Sequence, residues 1–239
     1  MSTYCDTAVG HRKDRNEDCV RYTPLPNAPH DLVAVADGMG GPPDGDVASE
    51  VAIATLVGSL ASSDVVQTAP GDALETAYRR ANRAVAERTA DAGSAPPGTT
   101  LVAALVDGED AVVANVGDSR AYRVNDALER VTVDHSYVQR LVESGELEPE
   151  EADDHPMSHV LDQALGTSDG VDVDVFHTSL TDARLLLCSD GLTDPVSEET
   201  IQRVCLESET LADAGGTLIE RALDAGAPDN VSVALYQPD

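Results

Sequence analysis

An α+β fold built around one core is the architecture this sequence predicts, on three observations. Short apolar runs, such as residues 32–36 (Leu-Val-Ala-Val-Ala) and 185–188 (Leu-Leu-Leu-Cys), are too brief for helices of ordinary length and read as interior strands. Segments with apolar residues every three or four positions are interspersed among them and read as helices. The 239 residues suffice for one sizeable core and no stretch has a linker's composition, so residues 1–239 are taken as a single domain.

Taken in order, residues 1–9 predict an edge strand, and residues 10–18 (Gly-His-Arg-Lys-Asp-Arg-Asn-Glu-Asp) form a charged segment whose strand-like flanks put Glu17 and Asp18 near a sheet. The apolar run 32–36 stops at Asp37, and the glycines at 38, 40 and 41 predict a tight turn with accessible carbonyls. Alone, Asp37 reads equally well as the N-cap of the next helix. Val47, Val51, Ala52, Leu56 and Leu60 predict a helix over 47–60, and Leu74, Ala77, Tyr78, Ala81 and Val85 a second one ending in the loop 93–98. Strands follow at 99–106, 111–116 and 120–124, with Asp118 between the last two. A helix over 136–144 leads into a polar flap at about 146–160, which carries His155 and His159. Residues 184–194 (Arg-Leu-Leu-Leu-Cys-Ser-Asp-Gly-Leu-Thr-Asp) read as an apolar strand followed by Asp190-Gly191, helices are expected at 198–207 and 211–225, and Asp229-Asn230 opens the final strand at 231–236.

Charge narrows the partners. Fifteen basic residues against 44 acidic ones give a net charge of −29, a field that repels nucleic acid and anionic membrane. The acid is spread along the chain, which suits a solvated folded surface, and at molar salt, where screening reaches only about 3 Å, such a surface is tolerable. A salt-rich cytoplasm is the expected setting. Cys5, Cys19, Cys188 and Cys205 show no paired spacing and read as reduced packing residues. No export signal or membrane-length apolar stretch is evident, so a cytoplasmic monomer is expected.

Asp37, Asp118, Asp190 and Asp229 all stand at strand ends, with Glu17 and Asp18 close to another. If those strands share a sheet, the acids gather at one rim, which costs several pKa units of repulsion unless cations intervene. All-oxygen ligands favour Mg²⁺ or Mn²⁺. Two such ions about 4 Å apart activate water and clamp an in-line phosphoryl displacement, so hydrolysis of a phosphate ester is the natural reaction class.

Seven short stretches sharpen this: Asn16-Glu-Asp18, Asp37-Gly-Met-Gly-Gly41, Gly98-Thr-Thr100, Asn115-Val-Gly-Asp-Ser-Arg-Ala-Tyr122, Asp134-His-Ser136, Ser189-Asp-Gly-Leu-Thr-Asp194 and Asp229-Asn230. In this order they resemble the motif series of the metal-dependent Ser/Thr protein phosphatases of type 2C, and in particular the compact bacterial branch. The resemblance implies two packed antiparallel β-sheets flanked by helices on both sides, a four-layer αββα sandwich. It implies hydrolysis of phosphoserine and phosphothreonine in proteins, kinases among them, by a hydroxide bridging two Mn²⁺ or Mg²⁺ ions, without a phosphoenzyme. Asp37 would bridge the ions, Glu17 and the Gly38 carbonyl would complete one site, and Asp190 and Asp229 the other. Asp118 with Asp190 would hold a third, weaker ion, and Asp18 would position water. Asp37, Asp190, Asp229 and Asp18 are thus the candidate catalytic set, with Gly98, Thr99 and Thr100 structural.

Two departures from the family stand out. Lys13 occupies the place of the usual phosphate-gripping Arg, so either Lys13 or the neighbouring Arg12 binds phosphate. Met39 stands where the eukaryotic branch has a His, leaving the leaving-group proton to water or to His155 or His159. The alternatives are a catalytically silent regulatory binding domain and a two-metal hydrolase of small phosphate esters.

Overall fold

The computed structural model describes residues 1–40, 44–90, 97–152 and 155–238. Gly41 and most of the expected loop 93–98 therefore lie outside the described residues, as do residues 153 and 154 of the expected flap.

The chain opens with β1 (Ser2–Ala8), β2 (Asp18–Pro24) and β3 (Asp31–Met39), followed by the helices α1 (Gly45–Ala61) and α2 (Pro70–Arg88). Next come β4 (Gly98–Thr99), β5 (Leu101–Asp107), β6 (Asp110–Val116), β7 (Arg120–Val124), β8 (Leu128–Arg130) and α3 (Tyr137–Ser144). The last third contains β9 (Asp174–Ser179), β10 (Arg184–Cys188), α4 (Asp190–Thr193), α5 (Glu198–Glu207), α6 (Leu211–Asp224) and β11 (Val231–Gln237). One sheet runs β1-β11-β10-β7-β8, the other β2-β3-β5-β6-β9 with β4 on the end of β3, and every pairing is antiparallel.

The two-residue period of each strand sorts its side chains between layers. On β3, Leu32, Ala34 and Ala36 pack under α1 and α2, whereas Val33 and Val35 face the other sheet. On β10, Leu186 and Cys188 meet α5 and α6, whereas Leu185 and Leu187 face inward. The result is the expected four-layer sandwich, α1 and α2 outside one sheet, α4 to α6 outside the other, with a layer of Val, Ala and Leu between the sheets. Serine and threonine hydroxyls cap the helices on either side of the later strands: Ser136 accepts from Gln139, Ser197 from Thr200 and Thr210 from Asp213.

Three expectations need correction. Strand β3 does not end at Asp37 but continues to Met39, because Gly38 and Met39 find pairing partners in Thr99 and Gly98. The buried stripe of α1 is Ala48, Ser49, Ala52, Ile53, Leu56 and Leu60, so Val47 and Val51 are only half-buried. Small residues turn inward there because Ala34 and Ala36 beneath them let the helix lie close on the sheet. Strands β8 and β9 were not expected from the sequence; both are edge strands.

Tyr78 of α2 is fully buried, and its hydroxyl donates to the Ala114 carbonyl at 2.7 Å, with the Leu101 carbonyl at 3.2 Å. Burial pushes its phenol well above the ordinary value, which keeps it a donor. Tyr78→Phe is expected to lower unfolding stability by about 1 kcal/mol and Tyr78→Ala by about 4 kcal/mol, read from denaturant midpoints at constant salt. Equal losses for the two variants would contradict this placement.

Candidate active site

The layer between the sheets is apolar in the middle and acidic at one end. Residues 33, 35 and 37 of β3 share its inward face, so Asp37 continues the row begun by Val33 and Val35. In the antiparallel register Asp18 stands directly opposite Asp37. The Asp18 carboxylate reaches across to the other sheet and accepts hydrogen bonds from Ser232 (2.5 Å) and Ser189 (2.9 Å). Asp118 sits in the turn between β6 and β7, Asp190 opens α4 directly after β10, and Asp229 lies just before β11.

Backbone ties hold these acid-bearing segments in place. The Glu17 amide donates to Asn230 Oδ1 (2.9 Å), and Asn230 Nδ2 donates to the Arg15 carbonyl (3.0 Å). The Asp37 amide donates to Thr100 Oγ1 (3.0 Å), and Thr99 Oγ1 donates to the Asp37 carbonyl (2.9 Å). The hydroxyl of Ser49 donates to the Glu17 carbonyl at 2.6 Å. Two glycines permit the approach: a Cβ on Gly38 would fall 2.1 Å from the Gly45 carbonyl oxygen, and one on Gly191 would fall 1.8 Å from that of Asn230.

Lys13, Glu17, Asp37, Gly38, Asp118, Asp190 and Asp229 line one cleft of about 580 Å³, with Met39 and His159 on its rim. It opens into a larger cleft of about 990 Å³ through the shared residues Asp118, Asp190 and His159. In the larger cleft, Arg120 grips Asp134 through Nε (3.1 Å) and Nη2 (2.8 Å), and Arg130 pairs with the same carboxylate. Of the residues predicted to hold metal, phosphate or water, Asp18 and Arg12 do not line the smaller cleft: Asp18 is buried beside it and Arg12 is exposed. Lys13 Nζ stands 2.7 Å from Asp229 Oδ1 and 3.6 Å from Glu17 Oε2. His155 lies against the Tyr137 ring, with centroids 6.3 Å apart, and does not line either cleft.

Electrostatics follow from the crowding. Burial, followed by the charges of Asp18, Asp190, Asp118 and Asp229, holds Asp37 well above the ordinary carboxylate range. Asp190 is raised for the same reasons, by burial and then by Asp118, Asp194 and Asp229. Asp118 is pushed up to about 7 by burial and by Asp134, against the pull of Arg120. Asp18 is raised to about 6 by burial, although the bonds from Ser232 and Ser189 favour its anion. Asp37 stands opposite Asp18 in the strand register, and the charges of Asp190 and Asp118 act on it as well. Carboxylates crowded in this way need a proton or a cation among them. Glu17 Oε1, Asp18 Oδ1 and Asp190 Oδ1 are buried without a hydrogen-bond partner among the described residues, a further opening for a cation. No three acid, histidine or cysteine side chains among the described residues are already closed around one point.

Comparison with known proteins decides the family. The sequence profile of protein phosphatase 2C matches residues 7–223. The chain belongs to that family. This phosphatase is 39% identical to the serine/threonine phosphatase stp of Listeria monocytogenes over 217 residues, covering 87% of this chain and 84% of the relative. It is 33% identical to the protein phosphatase PhpP of Streptococcus pneumoniae over 96% of this chain and 94% of the relative. The solved serine/threonine phosphatase of S. agalactiae superposes with a TM-score of 0.93 at 31% identity, over 100% of this chain and 99% of that one. That of Mycobacterium tuberculosis, PstP, superposes at 0.89 with 35% identity over 100% and 99%. The 2C phosphatase described here is a protein-serine/threonine phosphatase.

The sequence pattern assigned no role to Ser232, Ser189, Asn230 or the Arg120–Asp134 pair. Ser232 carried a readable signal, a hydroxyl between Val231 and Val233 in an otherwise apolar strand, where a buried polar group needs a partner.

These raised carboxyl pKa values predict a pH dependence. Each folded-state value exceeds the unfolded value of about 4, so the folded chain binds more protons in between. The stability they confer is complete below that value and is lost as pH rises through about 6 for Asp18 and about 7 for Asp118. With chelator present, the melting temperature is expected to fall by roughly 5 °C between pH 5 and pH 8, and saturating Mn²⁺ should flatten the decline. A rise over that interval in chelator would show that the acids are not crowded together.

Proposed function

We propose that this phosphatase hydrolyses phosphoserine and phosphothreonine esters of proteins with the help of divalent cations. The observation that carries the reading is the meeting of Glu17, Asp37, Asp190 and Asp229 in a single cleft. Their all-oxygen donors and the unpartnered buried oxygens suit Mg²⁺ or Mn²⁺. Asp37 with Glu17 and the Gly38 carbonyl would hold one ion, Asp190 and Asp229 the other, and Asp118 with Asp190 a third. When bound, the ions supply an activated water and neutralise the charge that builds on the phosphoryl oxygens.

The chain's own groups set the geometry of the reaction. Asp18, pinned by Ser189 and Ser232 and buried beside the cleft, would help to orient water there. Lys13 lines the cleft and Arg12 does not, so the phosphate oxygens fall to Lys13. Of the two flap histidines His159 faces the cleft, which makes it the donor of a proton to the departing serine or threonine oxygen. Phosphoproteins, Ser/Thr kinases among them, are the proposed substrates and partners, and the cytoplasm the proposed compartment, in keeping with four free thiols.

The test is release of phosphate from a phosphothreonine peptide in high salt, with Mn²⁺, with chelator and with Asp190→Asn. Chelator should abolish turnover, and Asp190→Asn should lower kcat by about a hundredfold or more. Turnover indifferent to chelator would falsify the metal-dependent reading. The net charge of −29 generates a companion expectation: the melting temperature should climb between about 0.1 M and about 3 M KCl as screening relieves self-repulsion. A flat response would remove the case for adaptation to salt.

A further inference from the structure

Lys13 is the one lysine among 15 basic residues, and it lies where the acids are densest. Its ammonium bridges Asp229 (2.7 Å) and Glu17 (3.6 Å), two carboxylates that the proposed function assigns to different ions. The loop that carries it is tied to its surroundings by the His11 amide, which donates to the Ala227 carbonyl (2.9 Å), and is closed into a turn by the Lys13 amide, which donates to the Gly10 carbonyl (3.2 Å). Beyond that turn the four-carbon stem has rotatable bonds of its own. An ammonium is a compact point charge with rotatable donors, so it exchanges partners more readily than a guanidinium locked into a bidentate fork.

The geometry points to a competition: we infer that Lys13 and a divalent cation contend for the carboxylates of Glu17 and Asp229, and that cation loading releases the ammonium towards the substrate phosphate. This rests on the metal-dependent phosphatase reading of the same site. One side chain thereby acts as tethered counter-ion to the acids and as ligand to the phosphate, in succession. Cation affinity is reduced by the presence of Lys13, and capture of the phosphate is linked to cation loading.

A single lysine makes the exchange directly visible. With isotopically labelled lysine, the chain gives one side-chain NMR signal, which can be followed while diamagnetic Mg²⁺ is added. The inference expects that signal to pass from a held to a freely rotating ammonium, with a midpoint equal to that of Mg²⁺ binding by calorimetry. Lys13→Met should tighten Mn²⁺ binding by about fivefold. It should also lower the melting temperature in chelator while leaving that of the Mn²⁺-saturated protein unchanged. Arg15→Met, which removes a neighbouring positive charge, should do neither. Mg²⁺ binding with an unaltered lysine signal, or equal effects of Lys13→Met and Arg15→Met on Mn²⁺ affinity, would overturn the competition alone. No heat of binding for either ion would overturn it together with the metal-dependent reading beneath it.

Discussion

Two carboxylates facing each other across an antiparallel strand pair, Asp18 and Asp37, are the constraint to which the rest of the structure answers. Like charges directly opposite in a sheet destabilise it, and here neither can turn away, because both lie on the inward face of their strands. Further apolar residues would have been the stable choice at these positions, as they are at Val33 and Val35. The fold instead places Asp190, Asp118 and Asp229 beside the pair and compounds the repulsion. A site that is tolerable only with protons or cations is thereby built into rigid strands.

The arrangement needs both sheets. Asp18 and Asp37 belong to one, whereas the hydroxyls that bond Asp18, those of Ser189 and Ser232, lie at the strand ends of the other. Packing between the sheets through Val, Ala, Leu and Tyr236 therefore sets the distance between an acid and its orienting partners. Asn230 works in the same direction by joining the segments that carry Glu17 and Asp229. The opposite end of the layer shows a milder version of the pattern: Asp31 lies there, and its carboxylate accepts from the hydroxyls of Tyr236 (3.0 Å) and Tyr22 (3.2 Å). An acid met by two neutral hydroxyl donors is a stable way to close the layer. The crowded end is the one left with unpartnered oxygens.

Much of this was legible in the sequence because periodicity is local. β7 and α5 were anticipated to the residue, and β11 to within one residue, since apolar pattern and flanking turns agreed there. The resemblance supplied the two-sheet architecture and the site, which spacing alone leaves open. Failures have a common physical cause in tertiary context. Valine alternates with aspartate only over residues 171–175, a period-two signal too short to stand by itself, and the strand Asp174–Ser179 forms because β6 is there to pair with it. The face of α1 turned toward Ala48 and Ala52 because of what the sheet offers beneath it, not because of the helix's own pattern. The position of the Lys13 ammonium depends on the meeting of Glu17 and Asp229, residues far apart along the chain.

The acid surface and the acid cleft call for cations of different kinds. Outside, the charge of −29 is diffuse and is met by the ionic atmosphere, whose reach is about 8 Å at ordinary salt and about 3 Å at 1 M. Inside, the carboxylates are desolvated and crowded, so screening by bulk salt reaches them poorly and a proton or a cation seated among them is what relieves the repulsion. A phosphorylated protein, itself anionic, must cross the first field before it meets the second. Monovalent salt would therefore act on encounter and on global stability, whereas under the proposed function a divalent ion would act on the site. The two dependences are separable in principle: the first follows ionic strength whatever the ion, the second follows the identity and concentration of one ion.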